Sequence, residues 1–258
     1  MRPGGGAVRT LPRRARAAPG RDAPVFIAWT FQRFTFYSSR VAESRGGAAA
    51  DTSRRAYDTT LRRRQAEQTR AEILAAATRL FTDHGWAGTS MREIAREAGV
   101  AVETVYSSIG SKVAVLVAAM EAAVAFDDPS VPVEERPEIL AVGVGDFETR
   151  ATTGAHLATI GIARTVGLHK ALREGAYSDP ALAEPYDAHL RWRRSLYQVV
   201  AEKVHGAPLP RLQGEGLWAV LSRDVYELLV EHSGWTLEEY EAWARSMIVT
   251  VLQPTAAP

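Results

Sequence analysis

Residues 89–112 read T-S-M-R-E-I-A-R-E-A-G-V-A-V-E-T-V-Y-S-S-I-G-S-K, and this stretch limits the possible fold most sharply. Ser90 followed three residues later by Glu93 makes a capping box. It opens a helix at Met91, with Met91, Ile94, Ala95 and Ala98 on one apolar face. Gly99 ends that helix. Val100 and Val105 stand at the spacing of a hydrophobic staple around a second start at Ala101, so the next helix runs from about Val102 to Ile109. Two short helices joined by so tight a turn make a helix-turn-helix. In such a unit the second helix enters the DNA major groove and presents its N-terminal side chains to base edges.

The flanking sequence builds this unit into a module. From Gln65 to His84 the apolar residues Ile73, Leu74, Ala77, Leu80 and Phe81 recur at helical spacing, and Gly85 ends the helix. After the motif, Gly110 stops the second helix and Ser111 caps another, carrying Val113, Leu116, Val117 and Met120 towards Phe126. Asp127 to Pro137 is acidic and holds three Pro, the composition of a linker. Helical periodicity then resumes. Asp146 caps a helix through Leu157, Ile160, Ile162 and Val166, and Leu168 to Gly175 forms a separate short one. Ser178-Asp179-Pro180 starts a long helix holding Leu182, Tyr186, Leu190, Leu196, Val199, Val200 and Val204, ended at His205-Gly206. Leu217 to Leu221 follows, then Ser222 capping Val225 to Val230. Thr236 with Glu239 is a second capping box, for a last helix through Trp243, Met247 and Leu252. Apolar residues recur at three and four, not at two, so the fold class is all-α.

The formal net charge of +1 hides an asymmetry: residues 1–60 carry 11 Arg against 4 acids, residues 61–112 carry 8 bases against 6 acids, and the remainder 12 bases against 20 acids. The N-terminal end suits phosphate; the C-terminal end would avoid it. Residues 1–60 are rich in Gly, Ala, Pro and Arg without a helical period, so they are expected to be disordered, or to be translated upstream DNA ahead of a true start near Val41 or Leu61. The run from Val25 to Tyr37 is too short to span a bilayer and is interrupted by Gln32 and Arg33; no membrane segment is expected, and the location is expected to be cytoplasmic. The absence of Cys removes disulfides, thiolate metal sites and a thiol nucleophile. There is no G-x-S-x-G, P-loop or H-E-x-x-H either, so neither an enzyme nor a cofactor is expected.

Residues 62–120 resemble the N-terminal DNA-binding domain of the TetR family of bacterial transcriptional regulators. The resemblance is carried by Ile73-Leu74, Ala77, Leu80-Phe81 and Gly85, by Thr89-Ser90, Ile94-Ala95 and Ala98-Gly99-Val100, and by Thr104-Val105-Tyr106 and Gly110-Ser111-Lys112. The C-terminal half is similar, more loosely, to an actinobacterial subgroup of that family through Leu217-Trp218-Ala219, Val225-Tyr226, Leu229-Val230, Gly234-Trp235 and Tyr240 to Trp243. The implied organisation is a three-helix, homeodomain-like helix-turn-helix domain over residues 61–126 and a helical ligand-binding and dimerisation domain over residues 137–254.

The resemblance also implies roles. Tyr106 and Lys112 would contact phosphates, and Thr104 and Ser107 phosphates or bases. Val102 would touch a thymine methyl and Glu103 accept from a cytosine amino group. Thr89, Ser90 and Arg92 would bind backbone at the entrance to the first motif helix. Arg63 and Arg64, just ahead of the module's first helix, would reach phosphate or the minor groove. The implied partners are a double-stranded DNA operator, a small-molecule effector of unknown identity and a second copy of the chain. Ala101, where a capping Ser is common in the family, Ser107-Ser108-Ile109, where two bulky polar residues and a Phe are common, and the acidic Glu103 depart from the pattern. They leave open an alternative, a helical small-molecule-binding or dimerisation protein whose helix-turn-helix no longer binds DNA. His156, His169 and His189 read as ordinary core or surface residues, and Trp192, Trp218, Tyr226, Trp235 and Trp243 as core or dimer packing. A ligand cavity is expected among the helices of residues 146–230, with no lining residue assigned.

Overall fold

The computed structural model describes residues 49–124 and 135–253, with side chains from residue 61 onward. The expectations for residues 1–48 and for the linker segment 125–134 fall outside the described residues. Every described element is helical: α1 (Ala49–His84), α2 (Met91–Glu97), α3 (Val102–Ser108), α4 (Lys112–Val124), α5 (Pro137–Ala141), α6 (Phe147–Ser178), α7 (Ala183–His205), α8 (Arg211–Val220), α9 (Arg223–Tyr226) and α10 (Leu237–Leu252). A 3₁₀ turn over Pro180–Leu182 leads into α7, and a π-helical segment over Glu227–His232 follows α9. Among the described residues no single helix is long and apolar enough to cross a membrane. The pair α3 and α4 reaches that composition together, but it is bent by 65° and α4 buries Val115, Leu116, Ala119 and Met120 in the core.

Four elements differ from the sequence-based expectation. The first helix begins at Ala49, inside the stretch expected to be disordered, because no Gly or Pro interrupts the chain between Gly47 and Gly85 and nothing stops backward propagation. α5 was not expected: Pro137 sits at its first position and starts a helix where it was read as the end of a linker. The segment after Ser222 is a short α-helix that widens into a π turn, not a single helix to Val230.

The largest difference is α6, which runs unbroken through Gly167 where two helices were expected. Gly167 serves packing, not termination. A Cβ there would meet Thr82 of α1, lying 2.7 Å from Oγ1 and 2.8 Å from Cβ, so the missing side chain is what lets α6 lie against α1.

Among the described residues two large apolar cores result, with a small third cluster around Ile139 and Trp192. The first packs Ile73, Ala77 and Phe81 of α1 with Ile94, Val105, Leu116 and Met120, and it includes Leu168, Ala171 and Leu172 of α6 and the buried Leu182. The second joins α6 to α7, α8, α9 and α10 through residues such as Ala155, Ile162, Val204, Leu217, Tyr226, Tyr240 and Ile248. The helix-turn-helix module therefore shares its core with the C-terminal half of α6.

Candidate nucleic-acid interface

The local geometry of residues 89–112 follows from caps and glycines. Ser90 Oγ accepts from Glu93 N at 3.2 Å and Glu93 Oε2 accepts from Ser90 N at 2.8 Å, closing the capping box of α2. Hydrogen bonding from the Ser90 side chain and from the Ser90 backbone N–H holds the Glu93 carboxyl below its ordinary pKa. Gly99 takes φ +68°, a left-handed conformation that would strain any other side chain, and turns the chain into α3. Ala101 starts α3 in extended conformation with no side-chain cap. Val105, fully buried, anchors α3 to the core and turns the opposite face outward. On that face Glu103, Tyr106 and Ser107 are exposed, with Val102 and Thr104 half-buried beside them. Tyr106 is 54% exposed, unusual for a large ring with a buried core directly behind it.

The start of α2 and the outer face of α3 enclose an open surface hollow lined by Thr89, Ser90, Met91, Arg92, Val102, Tyr106 and Lys112. Six of the eleven residues singled out from sequence thus meet at one place. Glu103, Thr104 and Ser107 lie along α3 outside this lining, and the Ser107 hydroxyl donates to Thr104 O at 3.2 Å.

Three residues stand in surroundings that the sequence pattern does not show. Thr89 is 2% exposed, and its hydroxyl is held by Leu80 O at 3.0 Å and Gly85 O at 2.9 Å; it ties the loop to the end of α1 and has no free hydroxyl proton for phosphate. Arg63 and Arg64 do not precede the first helix but lie within α1, exposed, with Arg63 Nε 2.8 Å from Glu67 Oε1. A helical segment cannot follow a narrow groove as an extended arm does. Arg70, which sequence reasoning passed over, donates to Ser108 O at 3.1 Å and clamps the end of α3 to α1.

Lys112 combines two tasks. Its ammonium donates to Trp86 O and lies 4.0 Å from the centroid of the Trp86 ring, which offsets the unfavourable placement of a cation at the N-terminus of α4. Burial lowers its pKa, against the carboxylates of Glu174, Asp179 and Glu93, which raise it. One N–H is spent on the carbonyl, two remain on the ammonium, and the side chain lines the hollow. Trp86 is itself stacked on Phe81, with ring centroids 6.0 Å apart. Glu174 of α6 accepts from Trp86 N at 2.8 Å and Ala87 N at 3.1 Å. No local pattern announces Glu174; its partners lie 87 and 88 residues away in sequence.

The expected cavity exists in the C-terminal half. Its lining includes Leu157, Ile162 and Thr165 of α6, Trp192, Arg193 and Tyr197 of α7, and Arg223 of α9. His169 and His189 are buried beside one another with ring centroids 5.8 Å apart, whereas His156 is exposed and pairs with Glu241.

A capped α2, a glycine turn and an α3 anchored by one buried valine, with its polar face open, define a helix-turn-helix protein of the all-helical class. Residues 73–119 match the family described as bacterial regulatory proteins, tetR family. No curated protein sequence matches the chain. Among solved structures, it is similar to a protein of Mesorhizobium loti assigned to the TetR-family transcriptional regulators, with 20% identity and a TM-score of 0.53 over 72% of this chain and 96% of that one. It is also similar to an HlyIIR mutant in which an internal segment is replaced by a GSSGSSG linker, with 16% identity and a TM-score of 0.52 over 75% of this chain and all of that one. At such identities these likenesses speak for the fold. The family match over residues 73–119 supports a DNA-binding transcriptional regulator.

Proposed function

We propose that the chain is a ligand-responsive repressor that binds a near-palindromic operator as a homodimer and catalyses no reaction. The observation that carries this reading is the outer face of α3, where Val102, Glu103, Tyr106 and Ser107 project away from the single anchor Val105 beside the hollow at the start of α2. Val102 and Glu103 sit in its first turn, the part of a recognition helix that meets base edges. Ser90, Arg92, Tyr106 and Lys112 surround them with donors suited to phosphate. Thr104 and Ser107 extend this surface along α3, and Arg63 and Arg64 add positive charge on α1. In a twofold dimer the two α3 helices would enter successive major grooves about 34 Å apart. The cavity between α6, α7 and α9 is the place for an effector. A ligand releases DNA only to the extent that it binds the DNA-incompetent arrangement better.

Selection of bound sequences from a random DNA pool tests the reading, followed by mobility shift of the selected site at several salt concentrations and by light scattering for the mass of the free protein. Inverted half-sites one helical turn apart, a steep loss of affinity with salt and a dimeric mass are expected. Val102→Ala should change the selected sequence, and loss of affinity that is uniform across sequences would remove Val102 from base reading. Enrichment of no sequence at all would leave the alternative, a helical ligand-binding or dimerisation protein with a silent helix-turn-helix.

A further inference from the structure

The cavity in the C-terminal half has a volume of about 90 Å³, several times the roughly 10–15 Å³ that one water needs on a comparable measure. Its wall is mostly apolar, with Leu157, Ile162, Trp192, Leu196, Val200 and Leu217 contributing. Gly161 of α6 opens it further, since a Cβ there would meet nothing within 4 Å.

Two guanidinium groups enter this apolar wall, and neither has a carboxylate partner among the described residues. Arg223 is 3% exposed; Nε and Nη2 donate to Thr165 Oγ1 at 3.1 and 2.6 Å, and Nη1 is buried with no partner. Thr165 cannot neutralise it, because the hydroxyl already donates to Gly161 O at 2.5 Å and offers only lone pairs. Arg193 is 6% exposed; its Nη2 donates to Tyr197 Oη at 3.2 Å and its guanidinium lies 5.2 Å from the centre of that ring. The acid adjacent in sequence, Asp224, is turned outward and pairs with Arg173, as does Glu227. The neighbouring imidazoles supply no negative charge, and burial drives His169 down to about 2 and His189 also far below its ordinary pKa, so both are neutral. A buried guanidinium short of one acceptor, inside an apolar chamber, lacks what a carboxylate provides: a counter-charge and two acceptor oxygens.

We propose that this cavity binds a monocarboxylate with an apolar body, its carboxylate held by Arg223 and Arg193 and its hydrocarbon packed against Leu157, Ile162, Leu196 and Val200. This names the chemical class of the effector and rests on reading the C-terminal half as a ligand-binding domain. Outside the two guanidinium groups the wall is mostly apolar, so one carboxylate on a hydrocarbon body fits it better than a second charged group at the far end.

The test is titration calorimetry and thermal unfolding of the full chain with sodium octanoate and 4-phenylbutyrate, set against octan-1-ol and octylammonium. At least one carboxylate should bind tenfold or more tightly than octan-1-ol, and octylammonium should not bind. Arg223→Met keeps the volume and removes the charge, so it should lower carboxylate affinity at least tenfold while leaving octan-1-ol unchanged. Arg223→Lys, if the Met variant misfolds, should retain part of the preference. Equal binding of octanoate and octan-1-ol by the unaltered chain overturns the proposal, as does failure of every probe to bind or unchanged affinity in the Arg223 variant. Carboxylate binding without any DNA selection would sink the regulator reading and leave this site standing; DNA selection without carboxylate binding would do the reverse.

Discussion

Gly167→Ala should destabilise the protein, although alanine favours a helix over glycine by about 1 kcal/mol. The reason is the contact of α6 with α1. A methyl group at position 167 would lie 2.7 Å from Thr82 Oγ1 and 2.8 Å from Thr82 Cβ, closer than side-chain carbons approach. Thr82 Cβ is fixed by its backbone and cannot swing away, so the helices must separate. Overpacking of this kind costs about 1–3 kcal/mol, and an overlap with a backbone-fixed atom belongs at the upper end. Subtracting the propensity gain leaves a net loss of about 2 kcal/mol, or roughly 4–8 °C in Tm for a chain of this size. Gly161→Ala, six residues earlier on the same helix, meets nothing within 4 Å and should instead gain up to about 1 kcal/mol. Urea unfolding of both variants, with Gly167→Ala/Thr82→Ala as a third, decides the matter. The double variant should recover part of the loss, because the hydroxyl and methyl are gone while Cβ remains. Gly167→Ala as stable as the unaltered chain, or loss of the same size at both glycines, would falsify the argument that Gly167 exists for close approach.

The two starts of the helix-turn-helix should respond in opposite directions: Ser90→Ala removes a capping hydrogen bond and should cost about 1 kcal/mol, while Ala101→Ser supplies the cap that α3 lacks and should gain a similar amount by thermal unfolding. In salt-dependent mobility shifts, Tyr106→Phe should weaken binding to all sequences by about 1 kcal/mol without changing the salt slope, since it loses a neutral donor. Lys112→Met should reduce the slope by about 0.9 and also lower the melting temperature, because its ammonium holds Trp86 O. A salt slope unchanged by Lys112→Met would remove it from the phosphate contacts. His169 has its pKa lowered by burial to about 2, below the ordinary 6.5, so the unfolded chain binds the extra proton between those values. Its stability contribution is complete above about pH 6.5 and falls as pH drops towards 2, with roughly 2 kcal/mol lost between pH 7 and 5. His169→Gln should flatten that part of the stability profile, and an unchanged profile would contradict the assignment.

What could be read from sequence was whatever is encoded within a few residues. The capping boxes at Ser90-Glu93 and Thr236-Glu239 stand as expected, since each closes within one turn, and the cap of α6 at Asp146 accepts from Thr149 N at 2.8 Å. Readings failed where a residue answers to a distant partner. Gly167 looks like a helix end because glycine lowers helix propensity, yet its reason lies on α1. Thr89 looks like a phosphate ligand from its place before a helix, but the carbonyls of Leu80 and Gly85 take its hydroxyl. Arg223 follows a capping Ser, where an arginine is ordinarily solvated, and only the packing of α9 on α6 buries it against Thr165.

These long-range contacts share one element. Arg223 holds Thr165 of α6 beside the cavity, and Glu174 of α6 holds the backbone of Trp86 and Ala87, whose loop positions Lys112. Thr165 and Glu174 stand nine positions apart on one continuous helix, about 13 Å along the axis. Gly167 brings α6 against Thr82 of α1, and Gly175, just past Glu174, brings it against Trp86 of the following loop, too closely for α6 to slide while these stay still. A carboxylate that drew Arg223 away from Thr165 would therefore act on α6 first, and a displaced α6 would carry the loop and α1 with it as a unit. The module's internal core, which includes Leu168 and Leu172 of α6, resists distortion, so such a movement would alter where the reading head points and leave its shape intact. On the proposed reading as an operator-binding dimer, that would be a change in the spacing of the two α3 helices, to which a fixed operator would respond with a loss of affinity, and by reciprocity the operator would weaken the ligand by the same factor.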